Sequence, residues 1–428
     1  MLFSLVNLGC KVNKVESDSV AATLLGLGWS EAPLEASDLV VINTCTVTGE
    51  AEKKTRKTVR HAIRMNAIAP IVVTGCAAAI TPELYESLDP RVSVVSKGEL
   101  LESVRSMAGK LAVTMSGEFP SASANAKMQN PITRSSFEAL PVGEGFRTRV
   151  GVKVQDGCNN ACTYCIVHVA RGKSVSLPAE AIIYECVALA SAGVREIVLT
   201  GINLGCFKGT YLGREIDLAG LLEILVEKTE SAPGPGCYPP RFRVGSIEPR
   251  NVDNAFIRVL ASSEGRVARH LHLPLQSGSS KVLREMARPY TAEYFLGLVD
   301  RLRTEIPSIA LSTDIIAGFP GESDAEFKET LAVARGARFM KIHSFPYSKR
   351  AGTPAAERKD QVAPEVKSER CERLRVLSEE LVSTDLLARS GSTELALVEG
   401  GGIATLESYH TVAVSKDELL GSLIPITL

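Results

Sequence analysis

The sequence predicts an α/β protein with three parts: an N-terminal domain with a parallel sheet, a central partial (β/α)6 barrel, and a small C-terminal β module. Strand-like apolar runs alternate with helical patterns over residues 1–112 and again over residues 144–360. Such alternation is typical of parallel sheets covered by helices. A mixed-charge helical connector is expected at residues 361–390, and residues 391–428 contain short strand-like runs without intervening helices.

The N-terminal domain is predicted to contain four parallel strands, because four apolar runs are separated by helical patterns. These strands are expected at Leu2–Asn7, Asp38–Asn43, Pro70–Thr74 and Val92–Ser96. Helical periodicity covers Ser17–Leu27 and Glu50–Met65 between them. Small and polar residues dominate the following stretch, and residues 113–143 are therefore predicted to be a linker.

The central block contains about six strand–helix units, too few for a closed eight-unit barrel, so a partial barrel is predicted. Its strands are expected at Arg147–Lys153, Glu196–Thr200, Arg241–Gly245, His270–Leu275, Ala310–Ile316 and Met340–Ser344. In such sheets the chemistry lies at the C-terminal ends of the strands. The C-terminal module is expected to have strands at Glu394–Val398, Ile403–Leu406, Thr411–Val414 and Leu423–Thr427.

Length and composition indicate a globular chain without strong overall charge. The 428 residues carry a formal net charge of −1, so a nucleic-acid partner would have to bind a local basic patch. No apolar run has the roughly 18 residues of a membrane helix. The first residues also lack the basic flank of a secretion signal, so a cytoplasmic location without membrane contact is expected. Ten cysteines in such a chain favour metal binding or catalysis over disulfides.

Three cysteines with the spacing C-x-x-x-C-x-x-C follow the first strand of the predicted barrel. Cys158, Cys162 and Cys165 can bind one cluster from a single loop, and three protein ligands leave one iron of a 4Fe–4S cluster open. S-adenosylmethionine (SAM) can chelate that iron, accept an electron and yield a carbon radical, which is chemistry that only a cofactor supplies. A zinc site is the alternative, but zinc usually takes four ligands from paired C-x-x-C units, and no second pair lies nearby.

A second group of cysteines lies in the N-terminal domain, where Cys10, Cys45 and Cys76 each follow a predicted strand. The C-terminal ends of parallel strands lie along one edge, so these thiols are expected to converge on a second site, with core packing as the alternative. Gly9 and Gly75 would let the backbone approach a bulky cluster. The remaining cysteines share no pattern and are interpreted as structural or incidental: Cys186, Cys206, Cys237 and Cys371.

Eight segments in combination resemble the radical SAM methylthiotransferases, and the match spans nearly the whole chain. They are Leu8–Asn13, Val41–Thr48, the three-cysteine loop, Leu199–Gly205, Gly245–Pro249, His272–Gly278, Thr313–Gly321 and Phe345–Lys349. Lys11-Val12-Asn13 and the Ser246–Pro249 segment look most like the subgroup that acts on N6-threonylcarbamoyladenosine at position 37 of tRNA and forms its 2-methylthio derivative.

The resemblance implies two 4Fe–4S clusters and SAM as cofactors. Cys10, Cys45 and Cys76 would hold an auxiliary cluster that carries the sulfur or methylthio group. The three-cysteine loop would hold the cluster that generates the radical, and no further catalytic residue is expected beyond the cluster ligands. One SAM would donate a methyl group and a second would give the 5′-deoxyadenosyl radical. The implied partners are a tRNA anticodon stem-loop and an electron donor such as flavodoxin or ferredoxin.

Several polar residues at or beyond the ends of predicted barrel strands are candidates to bind SAM. Asn203, Ser246, Glu248 and Gln276 would contact its ribose, amino and carboxylate groups, or else they satisfy backbone groups at strand ends. Tyr164 lies between two loop cysteines, and its ring is expected to cover the cluster or the adenine, with ordinary loop packing as the alternative.

Charge is unevenly distributed along the chain. The densest basic stretch, residues 53–61, is interpreted either as an RNA contact or as a solvated helix face. The C-terminal module resembles a shortened TRAM-like β-barrel of the kind that helps these enzymes bind RNA. From Ser392 to Leu428 it has five acidic residues and one basic residue, a net charge of −4 that is unfavourable for holding phosphates.

Three other functions remain open from the sequence. The acceptor is either threonylcarbamoyladenosine or a different group, namely isopentenyl-modified adenosine in tRNA or an aspartate of a ribosomal protein. A non-catalytic iron–sulfur protein that binds tRNA is the alternative of another class, and the intact cysteine loop argues against it. A radical enzyme with a cobalamin-binding first domain is a third possibility, although three cysteines there favour iron.

Overall fold

A computed structural model describes residues 1–46, 49–116, 148–231 and 238–428. They separate into two compact units: Met1–Pro141 with Ile166–Gly172, and Val142–Cys165 with Lys173–Leu428. Most of the predicted linker, residues 117–143, lies outside the described residues.

The first unit contains a five-stranded parallel sheet. In chain order the strands are β1 (Leu2–Asn7), β2 (Ser30–Glu31), β3 (Leu39–Thr44), β4 (Ile71–Gly75) and β5 (Val92–Val94). Their order in the sheet is β2-β1-β3-β4-β5. The helices of this unit are α1 (Lys11–Gly26), α2 (Gly49–Met65), α3 (Cys76–Ile80), α4 (Pro82–Glu86), α5 (Leu100–Ser116) and α6 (Val167–Arg171).

Both faces of the sheet are buried, which explains the continuous apolar runs of β3 and β4. Val40 and Ile42 pack in one core cluster that includes Val59 of α2. Val41, one residue out of phase, packs with Val104 of α5 in a second cluster on the other face. The sheet therefore confirms the predicted parallel α/β domain.

Helix α1 begins at Lys11, six residues before the predicted start at Ser17. The difference has a physical reason, because Asn13 and Ser17 are polar residues that lie buried on the inner face of the helix. The Asn43 side-chain amide donates to the Asn13 carbonyl oxygen at 2.9 Å and to the Ser17 hydroxyl at 3.2 Å. These polar residues interrupt the apolar pattern from which the helix was predicted.

The second unit contains the six predicted parallel strands of a partial barrel. These six are β6 (Arg149–Lys153), β9 (Glu196–Thr200), β12 (Arg241–Val244), β13 (His270–His272), β14 (Ala310–Ala317) and β15 (Lys341–Pro346). Four further strands lie between them in the chain: β7 (Gln155–Asp156), β8 (Val175–Ser176), β10 (Lys208–Tyr211) and β11 (Arg214–Asp217). Parallel sheets of order β12-β9-β6 and β13-β14-β15 are joined by a parallel bridge between Ser246 and His272. The other four strands form two antiparallel hairpins that were not predicted, β7–β8 and β10–β11.

Eight helices accompany these strands in the described residues of the second unit. They are α7 (Ala179–Ser191), α8 (Leu218–Lys228), α9 (Asn254–Ser262), α10 (Ser280–Glu285), α11 (Ala292–Glu305), α12 (Asp324–Ala337), α13 (Pro354–Glu357) and α14 (Pro364–Ala388). The C-terminal module follows as β16 (Thr393–Glu399), β17 (Ile403–Leu406), β18 (Thr411–Ala413) and β19 (Leu423–Thr427), an antiparallel sheet of order β18-β17-β16-β19.

A buried ionic network joins the module to the N-terminal ends of the barrel strands. Glu196, the first residue of β9, is fully buried and accepts hydrogen bonds from Arg241 at 2.6 Å and Arg243 at 2.8 Å. Arg241 also donates to the carbonyl oxygens of Leu395 at 2.6 Å and Thr405 at 3.1 Å. Burial alone would raise the pKa of Glu196, but the two guanidinium groups lower it well below its usual range.

Three of the five acidic residues of the module face the rest of the second unit. Glu394 pairs with Arg389 at 2.9 Å, Glu399 with Arg149 at 2.7 Å, and Glu407 with Arg269 at 2.8 Å. The net charge of −4 therefore does not describe the surface of the module. The prediction that this module is unfavourable for phosphates does not follow from its formal charge, because these acids are already neutralised within the chain.

Candidate active site

The three-cysteine loop leaves the barrel after β6 and β7, at the C-terminal end of the strands. Cys158, Cys162 and Cys165 form no disulfide with any described residue. The loop is fixed at Thr163, whose amide donates to the Met286 carbonyl at 3.1 Å and whose hydroxyl donates to the Glu285 carbonyl at 2.8 Å. Burial, together with the nearby Cys162 thiol and a carboxylate, raises the pKa of the Cys158 thiol, so metal binding would have to drive its deprotonation.

Arg288 connects the loop to one of the predicted SAM ligands, and the sequence reasoning missed it. Its guanidinium lies 3.5 Å from the Cys162 sulfur and 2.5 Å from a Glu248 carboxylate oxygen. It also donates to the Tyr290 hydroxyl at 2.8 Å. Burial disfavours its charge, but Tyr164, Tyr290 and Glu248 outweigh burial and raise the Arg288 pKa. An arginine two residues before a tyrosine at a helix end gives no sequence signal of this role.

Asn203 lies beside the loop and has an unsatisfied polar atom. Its amide nitrogen is 3.8 Å from the Cys158 sulfur, and its backbone amide donates to Gln155 Oε1 at 2.8 Å. The buried side-chain oxygen of Asn203 accepts no hydrogen bond from any described residue. A buried acceptor without a donor is costly, so this oxygen is a candidate to accept a hydrogen bond from a bound cofactor.

The other predicted SAM ligands lie at the same end of the barrel strands. Ser246 is exposed just beyond β12, and Glu248 is half-buried two residues later. Gln276 has a left-handed backbone with φ of 67°, which is uncommon for a residue other than glycine and concentrates at functional sites. Its carbonyl accepts from the Ile316 amide at 2.9 Å.

Tyr164 packs against an apolar cluster on the inner side of the loop. This cluster contains Val282, Met286, Phe319, Tyr347 and Ala355. Burial raises the pKa of the Tyr164 hydroxyl well above its usual value, so the ring stays neutral and apolar in this position. The contacts match the loop-packing alternative, and a contact with SAM or a cluster stays a prediction.

In the first unit, Cys10, Cys45 and Cys76 follow β1, β3 and β4, which are neighbours in the sheet. The Asn13 side chain forms hydrogen bonds with residues that follow or end two of these strands. The Cys10 thiol donates to Asn13 Oδ1 at 3.4 Å, while Asn13 Nδ2 donates to the carbonyl of Thr44, the residue before Cys45, at 2.9 Å. The three cysteines thus follow the C-terminal ends of neighbouring strands, and the convergence of their thiols on one site stays a prediction.

Arg171 completes this arrangement and was also missed. Its side chain is fully buried, and it donates to the Cys76 sulfur at 3.3 Å, to Asn13 Oδ1 at 2.8 Å and to Glu16 at 3.0 Å. Lys97 adds a second cation at 3.2 Å from the same sulfur. Two cations beside one sulfur would balance the negative charge of a thiolate-bound cluster.

The glycines before two of these cysteines serve tight backbone packing. A Cβ at Gly75, where φ is 97°, would lie 2.4 Å from the Thr44 carbonyl oxygen. A Cβ at Gly9 would lie 2.3 Å from Asn13 Cγ. At both positions the backbone therefore packs closely against residues that position the cysteines. This packing requires glycine independently of any space that a cluster would need.

The residues at both sites fit iron–sulfur clusters by their chemistry. Each site offers three cysteines that are not in disulfides, and soft thiolate sets select iron–sulfur clusters. Within the described ranges, no group of three or more His, Cys, Asp or Glu side chains could hold a metal ion. A cluster is a different case, because each thiolate binds its own iron and the ligands do not meet at one ion. Cys237, interpreted above as structural or incidental, lies outside the described residues.

The fold and the loop define a radical SAM enzyme, and comparison with known families agrees. Residues 152–334 match the radical SAM superfamily, and residues 3–96 match uncharacterized protein family UPF0004. The match to the superfamily covers the cysteine loop and most of the barrel, so the predicted class of enzyme is confirmed.

Relatives of known name share most of the chain. Threonylcarbamoyladenosine tRNA methylthiotransferase MtaB from Bacillus subtilis is 38% identical over 87% of this chain and 79% of its own length. The tRNA-2-methylthio-N(6)-dimethylallyladenosine synthase of Carboxydothermus hydrogenoformans is 34% identical over 93% of this chain and 88% of its own. The chain belongs to the radical SAM tRNA methylthiotransferase family. SAM and 4Fe–4S clusters, the cofactors of that family, are thereby confirmed as predicted.

Solved structures support the fold at lower identity. The cobalamin-containing radical SAM methyltransferase TsrM from Kitasatospora setae is 15% identical, with a TM-score of 0.56 over 83% of this chain and 77% of that chain. This likeness concerns the fold alone. Among the described residues, no helix has the length and apolar character needed to cross a bilayer.

Proposed function

We propose that this enzyme converts N6-threonylcarbamoyladenosine at position 37 of tRNA to its 2-methylthio derivative. The observation that carries the proposal is the pairing of two three-cysteine sites, one on the barrel loop and one along the edge of the first sheet. The family and the MtaB relatives, at 34–38% identity, support the choice of acceptor. The synthases of the dimethylallyladenosine type, at 32–34% identity, make that modified adenosine the second candidate.

In this proposal, Cys158, Cys162 and Cys165 hold the cluster that binds SAM, and Cys10, Cys45 and Cys76 hold the auxiliary cluster. Bound there, the clusters and SAM supply the radical and the sulfur chemistry needed to replace an aromatic C–H bond. The chain's own residues position these groups. Arg171 and Lys97 balance charge at Cys76.

Asn203, Ser246, Glu248 and Gln276 would contact SAM at the C-terminal ends of the barrel strands. The unsatisfied oxygen of Asn203 supports this role because it can accept from the amino group or ribose hydroxyls of SAM. Arg288 keeps Glu248 in place through their contact at 2.5 Å. Tyr164 would form the apolar wall beneath the loop.

The proposed partners are the anticodon stem-loop of tRNA and an electron donor such as flavodoxin or ferredoxin. The first follows from position 37, which lies beside the anticodon, and the second from the electron that SAM cleavage consumes. Because tRNA is the substrate, we also propose a cytoplasmic location.

The cluster assignment is tested by iron and sulfide content after anaerobic reconstitution. Two 4Fe–4S clusters predict about eight irons per chain, taking four per cluster. Changing Cys10, Cys45 and Cys76 to Ala should remove half of the iron, preserve cleavage of SAM to 5′-deoxyadenosine and abolish methylthiolation. The matched variant, with Ala at the three loop positions, should lose SAM cleavage. Full iron content in either triple variant would contradict the assignment.

The acceptor is tested with three purified substrates: tRNA containing threonylcarbamoyladenosine, tRNA containing isopentenyladenosine, and a ribosomal protein with an exposed aspartate. Mass spectrometry should detect the methylthio group in the first alone. Modification of either other substrate in its place would refute the proposed acceptor while leaving the enzyme class intact.

A further inference from the structure

Helix α2 presents a row of cations on the side opposite its buried face. Thr55, Val59 and Ala62 are buried against the first unit. At 100° per residue, the opposite side carries the cations at spacings of three and four residues. We call these five residues the α2 basic face: Lys53, Arg56, Lys57, Arg60 and Arg64. Four of them are exposed, and Arg56 is half-buried.

The α2 basic face has no acidic partners in the part of the chain that the structure describes. None of its five side chains forms an ion pair or hydrogen bond with another described residue. The helix carries two acids, Glu50 and Glu52, and both lie in its first turn. Exposed cations left unpaired over several turns repel one another, and this cost is relieved when an anion binds.

The exposed cations of helix α14, in contrast to those of α2, are paired with acids. Its exposed Arg373 pairs with Glu369 at 3.3 Å, and Arg375 pairs with Glu372 and Glu379, each at 2.5 Å. That helix is a solvated face with its charges balanced by neighbours at i±3 and i±4. The unpaired cations of α2 therefore distinguish this helix from α14.

We infer that the α2 basic face binds the phosphate backbone of the tRNA substrate, an inference that rests on the proposed function. A helix of 17 residues is about 25 Å long, and one cation or more per turn matches the dense row of phosphates along an RNA strand. The helix begins four residues after Cys45, so the same segment carries a proposed cluster ligand and the phosphate contact. Binding to phosphates positions the RNA without reading its sequence.

The test compares two double variants of the reconstituted enzyme. Lys57→Glu with Arg60→Glu reverses two charges of the α2 basic face, and Arg373→Glu with Arg375→Glu reverses two charges of α14. Both change the net charge equally. Affinity for purified tRNA containing threonylcarbamoyladenosine is measured by fluorescence anisotropy at several salt concentrations. Reductive SAM cleavage and iron content report the integrity of both proteins.

The α2 variant should bind tRNA at least about tenfold more weakly, and the slope of log affinity against log salt should fall by about two, near one per lost phosphate contact. Substitution by Gln at the same two positions, which preserves the helix, should lower the slope similarly. The α14 variant should resemble wild type. Affinity and slope unchanged in both α2 variants would overturn the inference alone, whereas a wild-type enzyme that cleaves SAM but binds no tRNA would overturn the proposed function with it.

Discussion

Substitution of Glu196 by Gln probes the buried network between the barrel and the C-terminal module. Gln keeps the shape of the side chain but removes the one carboxylate that faces both Arg241 and Arg243. The side chains of these arginines are 1% exposed and that of Glu196 is 0% exposed. The variant would therefore leave two buried guanidinium groups without their anion. Their remaining acceptors are backbone carbonyls of the module.

Breaking a buried ion pair from one side costs about 3–5 kcal/mol, because the charge that remains is desolvated. The loss of unfolding free energy in Glu196→Gln should reach the upper part of that range, because one carboxylate is paired with two arginines. A domain is stable by only about 5–15 kcal/mol, so a loss of this size should be visible in both unfolding and local opening. Glu372→Gln on the exposed face of α14 is the control and should cost at most about 1 kcal/mol.

Urea unfolding followed by circular dichroism measures the global loss, and hydrogen exchange of residues 393–428 measures opening of the module. The pH dependence is an independent check. The pKa of Glu196 is lowered in the folded protein from a value of 4.5, so its contribution is present above about pH 4.5 and is lost as pH falls below it. On acidification the free energy of unfolding of the wild type should fall by the contribution of Glu196, and that of the variant should not show this loss. Equal stability of the variant and wild type at pH 7 would refute this reasoning.

Three further predictions concern the sites. Gly75→Ala should destabilise the first unit by about 1–3 kcal/mol, because its Cβ would lie 2.4 Å from a backbone carbonyl, while Gly98→Ala meets nothing within 4 Å. Equal melting temperatures of the Gly75→Ala and Gly98→Ala variants would contradict this prediction. Arg171→Gln removes a cation 3.3 Å from the Cys76 sulfur and should lower the reduction potential of the auxiliary cluster or its iron content, with partial rescue by Lys; a redox titration identical to wild type would rule it out. Arg288→Gln should weaken SAM binding about tenfold by equilibrium dialysis, and an unchanged dissociation constant would argue against a positioning role.

Much of the fold could be predicted because its strands are short apolar runs between polar turns. β1, β9, β17 and β19 have the predicted bounds. The hairpin β10–β11 was missed because most of its residues are polar and none of them is buried. Its two-residue turn, Leu212-Gly213, has positive φ at both positions, and Leu is a weak signal for such a turn.

The residues of the candidate site also fall into two groups, those that could be predicted from the sequence and those that could not. The cysteines could be identified because their spacing within a loop, or their place after strands, is local in sequence. Arg171 and Arg288 could not, because their roles depend on contacts with residues up to 158 and 126 positions away. Nothing in the residues beside them distinguishes these arginines from surface cations. Glu407 could not be identified either, because its pairing with Arg269 neutralises a charge that the formal count assigns to the surface of the module.

Two buried arginines at the N-terminal ends of the barrel strands bind the C-terminal module through its main chain. Arg241 and Arg243 bind the carbonyl oxygens of Leu395, Thr405, Leu406 and Glu407. Carbonyl oxygens are present whatever side chain a residue carries, so these four contacts do not by themselves require particular side chains in the module. A chain cut before residue 391 would remove these four acceptors and leave Glu196 as the remaining partner of both buried guanidinium groups. Removal of the module would therefore leave buried hydrogen-bond donors at the N-terminal ends of the barrel strands without acceptors and would destabilise the barrel.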